Sequence, residues 1–204
     1  MELSQAYEKL IIGSELGGIS YFVVFPDGVI SQVMPHNFTL GRAQMAVVPG
    51  SFDPVHRAHR WMFDKENITG KCFEMSVKRW DKPNVSFEDM ERKLAQFKGY
   101  ASVLVTNQPR MIGKIGLIRT VHPHMIPTFH IGADTLIRMY DDYGKVGVAG
   151  LAASFIVHDR VMNGELLSVS SHEHPANCHS PSMAMPDSML DISSSAIRAK
   201  NKIG

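Results

Sequence analysis

From residue 44 onward, apolar runs alternate with amphipathic stretches. The run at 45–48 (MAVV) is continuously apolar, as a strand covered on both faces requires. A helix is predicted over about 57–66, a strand over 72–77, and a helix over about 87–97 with Met90, Leu94 and Phe97 at helical spacing. The alternation continues with a strand at 101–106, a helix around 111–118, a strand at 127–131 and a helix from Ala133 to near Gly144. Strands at 153–158 and 166–169 follow. Such a series predicts one α/β unit, a parallel sheet with flanking helices. Residues 1–44 stand apart as an extension: a short helix through 7–12, then SYFVVFPDGVISQVM, where Asp27 and Gly28 separate two β-rich runs and predict a hairpin. That segment could extend the sheet, cover an edge or form a subunit contact, which leaves a homo-oligomer open. Residues 170–187, rich in Ser, His, Pro and Met, predict a loop over the site.

The chemistry concentrates where the predicted elements meet. The strand at 45–48 runs into PGSFDPVHRAH at 49–59. Gly50 offers a turn without a side chain where a phosphate can approach the backbone, and His56 and His59, three apart at a helix start, share one face near free N–H groups. Near the C-terminus, DISSSAIR places Ser193, Ser194 and Ser195 at a helix start. Arg198 follows one turn later, a forked cation suited to phosphate. Between them HIGADTL predicts a strand entering a Gly turn and then a helix, the place where open α/β sheets bind ligands.

These three segments resemble the nucleotidylyltransferase superfamily, whose signature is H-x-G-H after G-S-F-D/N-P, with I-S-S-T-x-I-R downstream. Ala58 stands where the signature has glycine, and Ser195 where it has threonine. FEMSVKRWDKP, VLVTNQP and HIGADTLIRMYD resemble a branch of nicotinamide-mononucleotide adenylyltransferase-like proteins, so the likeness spans roughly 45–200. The resemblance implies a Rossmann-like nucleotidylyltransferase domain over 45–204. It implies that His56, His59 and Arg198 are catalytic, and that Gly50, Ser51, Phe52, Gly132, Asp134, Ser193, Ser194 and Ser195 bind the nucleotide. It further implies substrate-binding roles for Trp80 and Lys82 at the acceptor and for Arg160 near the nucleotide. The implied reaction moves AMP from ATP to nicotinamide mononucleotide or nicotinate mononucleotide, with Mg2+ bridging phosphates through few protein ligands. Two alternatives stay open: another phosphorylated acceptor, such as phosphopantetheine or a polyol phosphate, and a nucleotide-binding module without turnover.

Composition narrows the classes further. With 204 residues, 44% of them apolar, one ordinary domain is expected. A formal net charge of +1 argues against a broad nucleic-acid face. No apolar run has membrane-span length and the N-terminus lacks a signal pattern, so the expectation is no membrane partner and a cytoplasmic location. Cys72 and Cys178 are too few for a disulfide framework. His172, His174, Cys178 and His179 could bind zinc, yet Pro175 interrupts them and no paired ligand pattern is present. The metal that the resemblance implies remains magnesium.

Overall fold

The computed structural model describes residues 1–16, 20–34, 44–65, 70–79, 83–168, 174–194 and 197–198, without the side chains of Ser14 and Gln44. Five strands supply the parallel centre: β3 (Gln44–Pro49), β4 (Lys71–Ser76), β5 (Val103–Thr106), β6 (Ile126–Gly132) and β7 (Ser154–His158). Their crossovers carry α2 (Arg57–Asp64), α3 (Phe87–Leu94), α4 (Met111–Val121) and α5 (Ala133–Ala149). The extension contributes α1 (Leu3–Glu15), β1 (Tyr21–Val24) and β2 (Ile30–Ser31). Of the roles open to it, this segment extends the sheet: β1 pairs antiparallel with β5, Val23 opposite Leu104.

The strand order, from one edge to the other, is β10-β7-β6-β3-β4-β5-β1-β2, with β10 (Cys178–His179) parallel to β7. The chain builds outward from β3 through β4 to β5, then returns to the other side of β3 to add β6 and β7. Adjacent loops at the ends of β3 and β6 therefore leave in opposite directions and open a crevice. Side chains of β3 alternate between two cores. Met45 and Val47 pack with α4 and α5 residues such as Ile115 and Leu136. Val48 packs on the opposite face with Ala6, Met62 and Met90 from α1, α2 and α3.

Three features differ from the sequence pattern. A strand is found where one was expected at 166–169, as β9 (Glu165–Leu167), but it pairs with β8 (Arg160–Met162) in a separate hairpin and not in the main sheet; residue 169 lies outside the described residues. Asn163 and Gly164 turn that hairpin at φ 53° and 83°, the left-handed geometry of tight hairpins. The stretch expected as a loop at 170–187 holds β10, two residues long and too short for any alternation to register. The helix after Ala133 is interrupted near its expected end: Gly144, at φ 68° and ψ 164°, breaks it, and helical turns resume to Ala149.

Candidate active site

Two adjoining clefts, of about 590 and 320 Å³, lie over the C-terminal ends of the parallel strands. They share one wall, made of Pro49, Gly50 and Ser51 from the turn after β3, and Thr135 and Arg138 from α5. The smaller cleft sits at the crevice between β3 and β6. It gathers His56, His59, Gly132, Asp134, Ser193 and Ser194, drawn from all three sequence motifs, together with Arg160.

The turn is fixed from below. The Gly50 N–H donates to the Glu74 carbonyl at 3.0 Å, tying the turn to β4. A side chain at Gly50 would place Cβ 2.7 Å from the Phe52 ring, so the glycine is required by that ring as well as by any phosphate above it. Phe52 itself has φ 46° and is fully buried, edge-on to Phe73 and Phe97 at 5.3 and 5.2 Å between centroids. The ring belongs to the core, so the part of Phe52 that faces the turn is its backbone.

His56 precedes α2 and His59 lies in its first turn. Their rings stack at 3.7 Å, and His59 rests edge-on against Phe52 at 5.0 Å. The His56 backbone N–H donates to His59 Nδ1 at 3.4 Å, which leaves the His59 ring proton on Nε2 and makes that nitrogen a donor. Ala58, at the position where the superfamily signature has glycine, packs its methyl completely into the core beneath α2.

Burial, reinforced by the Arg160 charge, pushes His56 down to about 4. Burial, then His56, then Arg160 push His59 down to about 3. A second pair lies in the same cleft. His130 Nδ1 and His158 Nε2 are 3.1 Å apart, and burial holds these rings at about 3 and about 4. Burial thus favours the neutral form of all four imidazoles at pH 7.

A histidine held below its ordinary value binds fewer protons folded than unfolded. Its contribution to stability is complete above about pH 6.5 and is lost as pH falls through the folded values of about 4 and about 3. Denaturant midpoints measured across this range should fall with acidity, and His158→Phe should flatten the profile. A profile unchanged by that substitution would exclude His158 from the linkage.

The remaining motif residues are held by charge. Asp134 lies between Arg138 (3.2 Å) and Arg160 (3.7 Å). A Cβ at Gly132 would meet Asp134 Oδ1 at 2.5 Å, so this glycine makes room for the carboxylate. The C-terminal segment is fastened over the turn: the Ser194 hydroxyl donates to the Pro54 carbonyl at 2.8 Å, and Arg198 donates to the Asp53 carbonyl. The Arg198 guanidinium lies 3.5 Å from the Asp53 carboxylate and lines the larger cleft. A hydrogen bond from Arg92, aided by neighbouring cations and opposed by burial, holds the Asp53 carboxyl below its usual range.

Trp80, Lys82 and Ser195 lie outside the described residues, as does His172. Of the other zinc candidates, His174 Nδ1 is 2.9 Å from the Tyr140 hydroxyl, and Cys178 and His179 are consecutive on β10, so their side chains take opposite faces. Among the described residues no group of three or more His, Cys, Asp or Glu is arranged to hold a metal, nor is any helix long and apolar enough to cross a membrane.

The motif spacings do not point to several other residues at the site. The larger cleft carries Lys78, Arg79, Arg110, Lys114 and Arg138 besides Arg198, with Asp53 and Asp142 as its carboxylates. The cleft is therefore a cationic compartment. One signal for Lys114 was visible: its partner Glu74 is a lone carboxylate inside the apolar run KCFEMS.

No protein-family model matches the sequence, and no curated protein matches it. Solved structures do share the architecture. The nicotinic acid mononucleotide adenylyltransferase of Plasmodium falciparum, complexed with NaAD, is similar over 76% of this chain and 82% of its own, with a TM-score of 0.58 at 18% identity. A structure of the same enzyme complexed with APC covers the same shares at a TM-score of 0.53 and 18% identity. What this likeness establishes is the fold: a mostly parallel α/β sheet of the Rossmann-like type found in those adenylyltransferases.

Proposed function

We propose that this protein is an adenylyltransferase that moves AMP from ATP to nicotinamide mononucleotide or nicotinate mononucleotide, giving the dinucleotide and pyrophosphate. The observation that carries the reading is the pair of clefts meeting at Gly50 and Ser51. One holds the neutral histidine donors and the serine segment, the other a surplus of cations, as a donor triphosphate and an anionic acceptor would need. The motif resemblance and the adenylyltransferase names of the structural neighbours agree with it.

In this reaction an acceptor phosphate oxygen bonds to the α-phosphorus of ATP while the bond from that phosphorus to the bridging oxygen of pyrophosphate breaks. No protein nucleophile is needed, so catalysis consists of positioning and charge stabilisation. His56 and His59 donate to the α- and β-phosphates, and Arg160 adds charge at the same cleft. Ser193 and Ser194 hold the departing pyrophosphate from the smaller cleft, and Arg198 reaches it from the larger cleft's side of the shared Gly50–Ser51 wall, with Ser195 assigned there by the motif alone. Asp134 accepts from ribose hydroxyls through lone pairs that its arginine partners leave open. Trp80 and Lys82 are assigned to the acceptor by the motif alone. Mg2+, when bound, would supply counter-charge to the phosphates and would be held chiefly by them, with few protein ligands.

Pyrophosphate release should be seen with ATP, magnesium and either mononucleotide, and should be much slower with CTP. Release that instead requires phosphopantetheine or a polyol phosphate would assign a different acceptor, and no release with any acceptor would leave a binding module. Arg198→Lys should weaken ATP binding by roughly 1 to 3 kcal/mol, the loss of a forked charge-assisted contact, with acceptor affinity unmoved. Calorimetry that finds acceptor binding lost and ATP binding kept would put Arg198 on the other substrate.

A further inference from the structure

Glu74 is completely buried near the end of β4, and its carboxylate is satisfied twice. The Thr106 hydroxyl donates to Oε1 at 2.7 Å, and the Lys114 ammonium of α4 donates to Oε2. A buried ion pair is a poor source of stability, because removing two charges from water costs about what their attraction returns, and an apolar pair would pack as well. Its location suggests a use beyond stability. Lys114 is 11% exposed and lines the larger cleft. An ammonium has three N–H donors, and Glu74 takes one. The same Glu74 accepts the Gly50 N–H through its backbone carbonyl, so one residue fixes both the turn shared by the two clefts and the position of the lysine. The cleft also carries Lys78, Arg79 and Arg110 against the carboxylates of Asp53 and Asp142, a cationic surplus that suits an anion.

We propose that Lys114 binds the phosphate of a phosphomonoester in the larger cleft, and that Glu74 is its positioning residue, holding the ammonium in register with the Gly50 turn. The proposal rests on the adenylyl-transfer reading only for what happens next, when that phosphate attacks across the shared wall. It assigns the acceptor phosphate to a residue outside the three sequence motifs.

The test measures binding by calorimetry, with nicotinamide mononucleotide, nicotinate mononucleotide and ribose 5-phosphate as probes and a non-hydrolysable ATP analogue in parallel. Pyrophosphate release is assayed separately. Glu74→Gln/Lys114→Gln replaces the ion pair by two amides and leaves no buried charge alone, so it should melt near the wild type. It should bind the phosphomonoester at least about tenfold more weakly, as expected for a lost charge-assisted contact, with the ATP analogue unaffected. Lys114→Arg should recover much of the affinity. Should the double variant not fold, Glu74→Gln alone, which keeps the lysine and removes its charged anchor, should still weaken the phosphomonoester selectively. Wild-type affinity in the variant that folds, or a wild-type protein that binds none of the three probes, overturns the proposal. Selective loss of binding without pyrophosphate release refutes the transfer reaction and leaves the site standing. Pyrophosphate release with acceptor affinity intact in the variant does the opposite.

Discussion

Replacing either His56 or His59 by alanine should lower turnover by about a hundred- to a thousandfold, the range found when one preorganised donor is removed from a developing oxyanion. The two rings stack at 3.7 Å, and each lies in a place where burial disfavours the cation. In the proposed reaction they would meet the triphosphate as neutral donors, already oriented, with His59 fixed by the backbone N–H of His56. Loss of that last contact costs about as much as a lost helix cap, roughly 0.5 to 2 kcal/mol, which a domain of this size tolerates. Circular dichroism should find both variants folded. Binding of the polyanion should draw a proton onto the pair, visible as a buffer-dependent enthalpy of ATP binding, and the alanine variants should lose that proton uptake. Two folded variants with near-normal turnover would remove the histidines from the reaction.

The central sheet is legible in the sequence because its strands are covered on both faces. MAVV in β3 and VLVT in β5 read as continuous apolar runs, and Met90, Leu94 and Phe97 mark the helical turns that cover them. Shorter elements escape this logic. β10 has two residues and β8 and β9 three each, so no periodicity can develop, and their pairing is decided by neighbours far away in sequence. The break at Gly144 was visible as a glycine, but the helical turns beyond it depend on the packing of Val148 in the core.

The site divides in the same way. His56, His59 and Gly50 are read together because one turn and one helix start hold them within ten residues of sequence. The Glu74 and Lys114 pair is separated by 40 positions and comes together only through the β3–β4–β5 register and the α4 crossover. Local sequence therefore reveals the turn and histidines of the smaller cleft. Tertiary register decides which cations line the larger one.

Phe52→Ala should cost about 3 to 5 kcal/mol of stability, the usual loss for a large aromatic removed from a close-packed core, and should also slow turnover although the ring touches no ligand. The ring is fully buried against Phe73 and Phe97, and it forms the floor under His59 at 5.0 Å. Truncation opens a cavity beneath the histidine pair, so the donors lose their fixed orientation. The ring also explains Gly50. In the wild-type background Gly50→Ala drives a methyl to 2.7 Å from Phe52 Cε1, an overpacking that should cost about 1 to 3 kcal/mol. Once Phe52 is alanine, that clash disappears. Gly50→Ala/Phe52→Ala should accordingly be less destabilised than the sum of its parts, a non-additivity expected of residues in direct contact. Denaturant midpoints for the two single variants and the double variant close the cycle. Strict additivity would mean that Phe52 does not lie over Gly50, and with it would fall the account of how the core supports the phosphate turn.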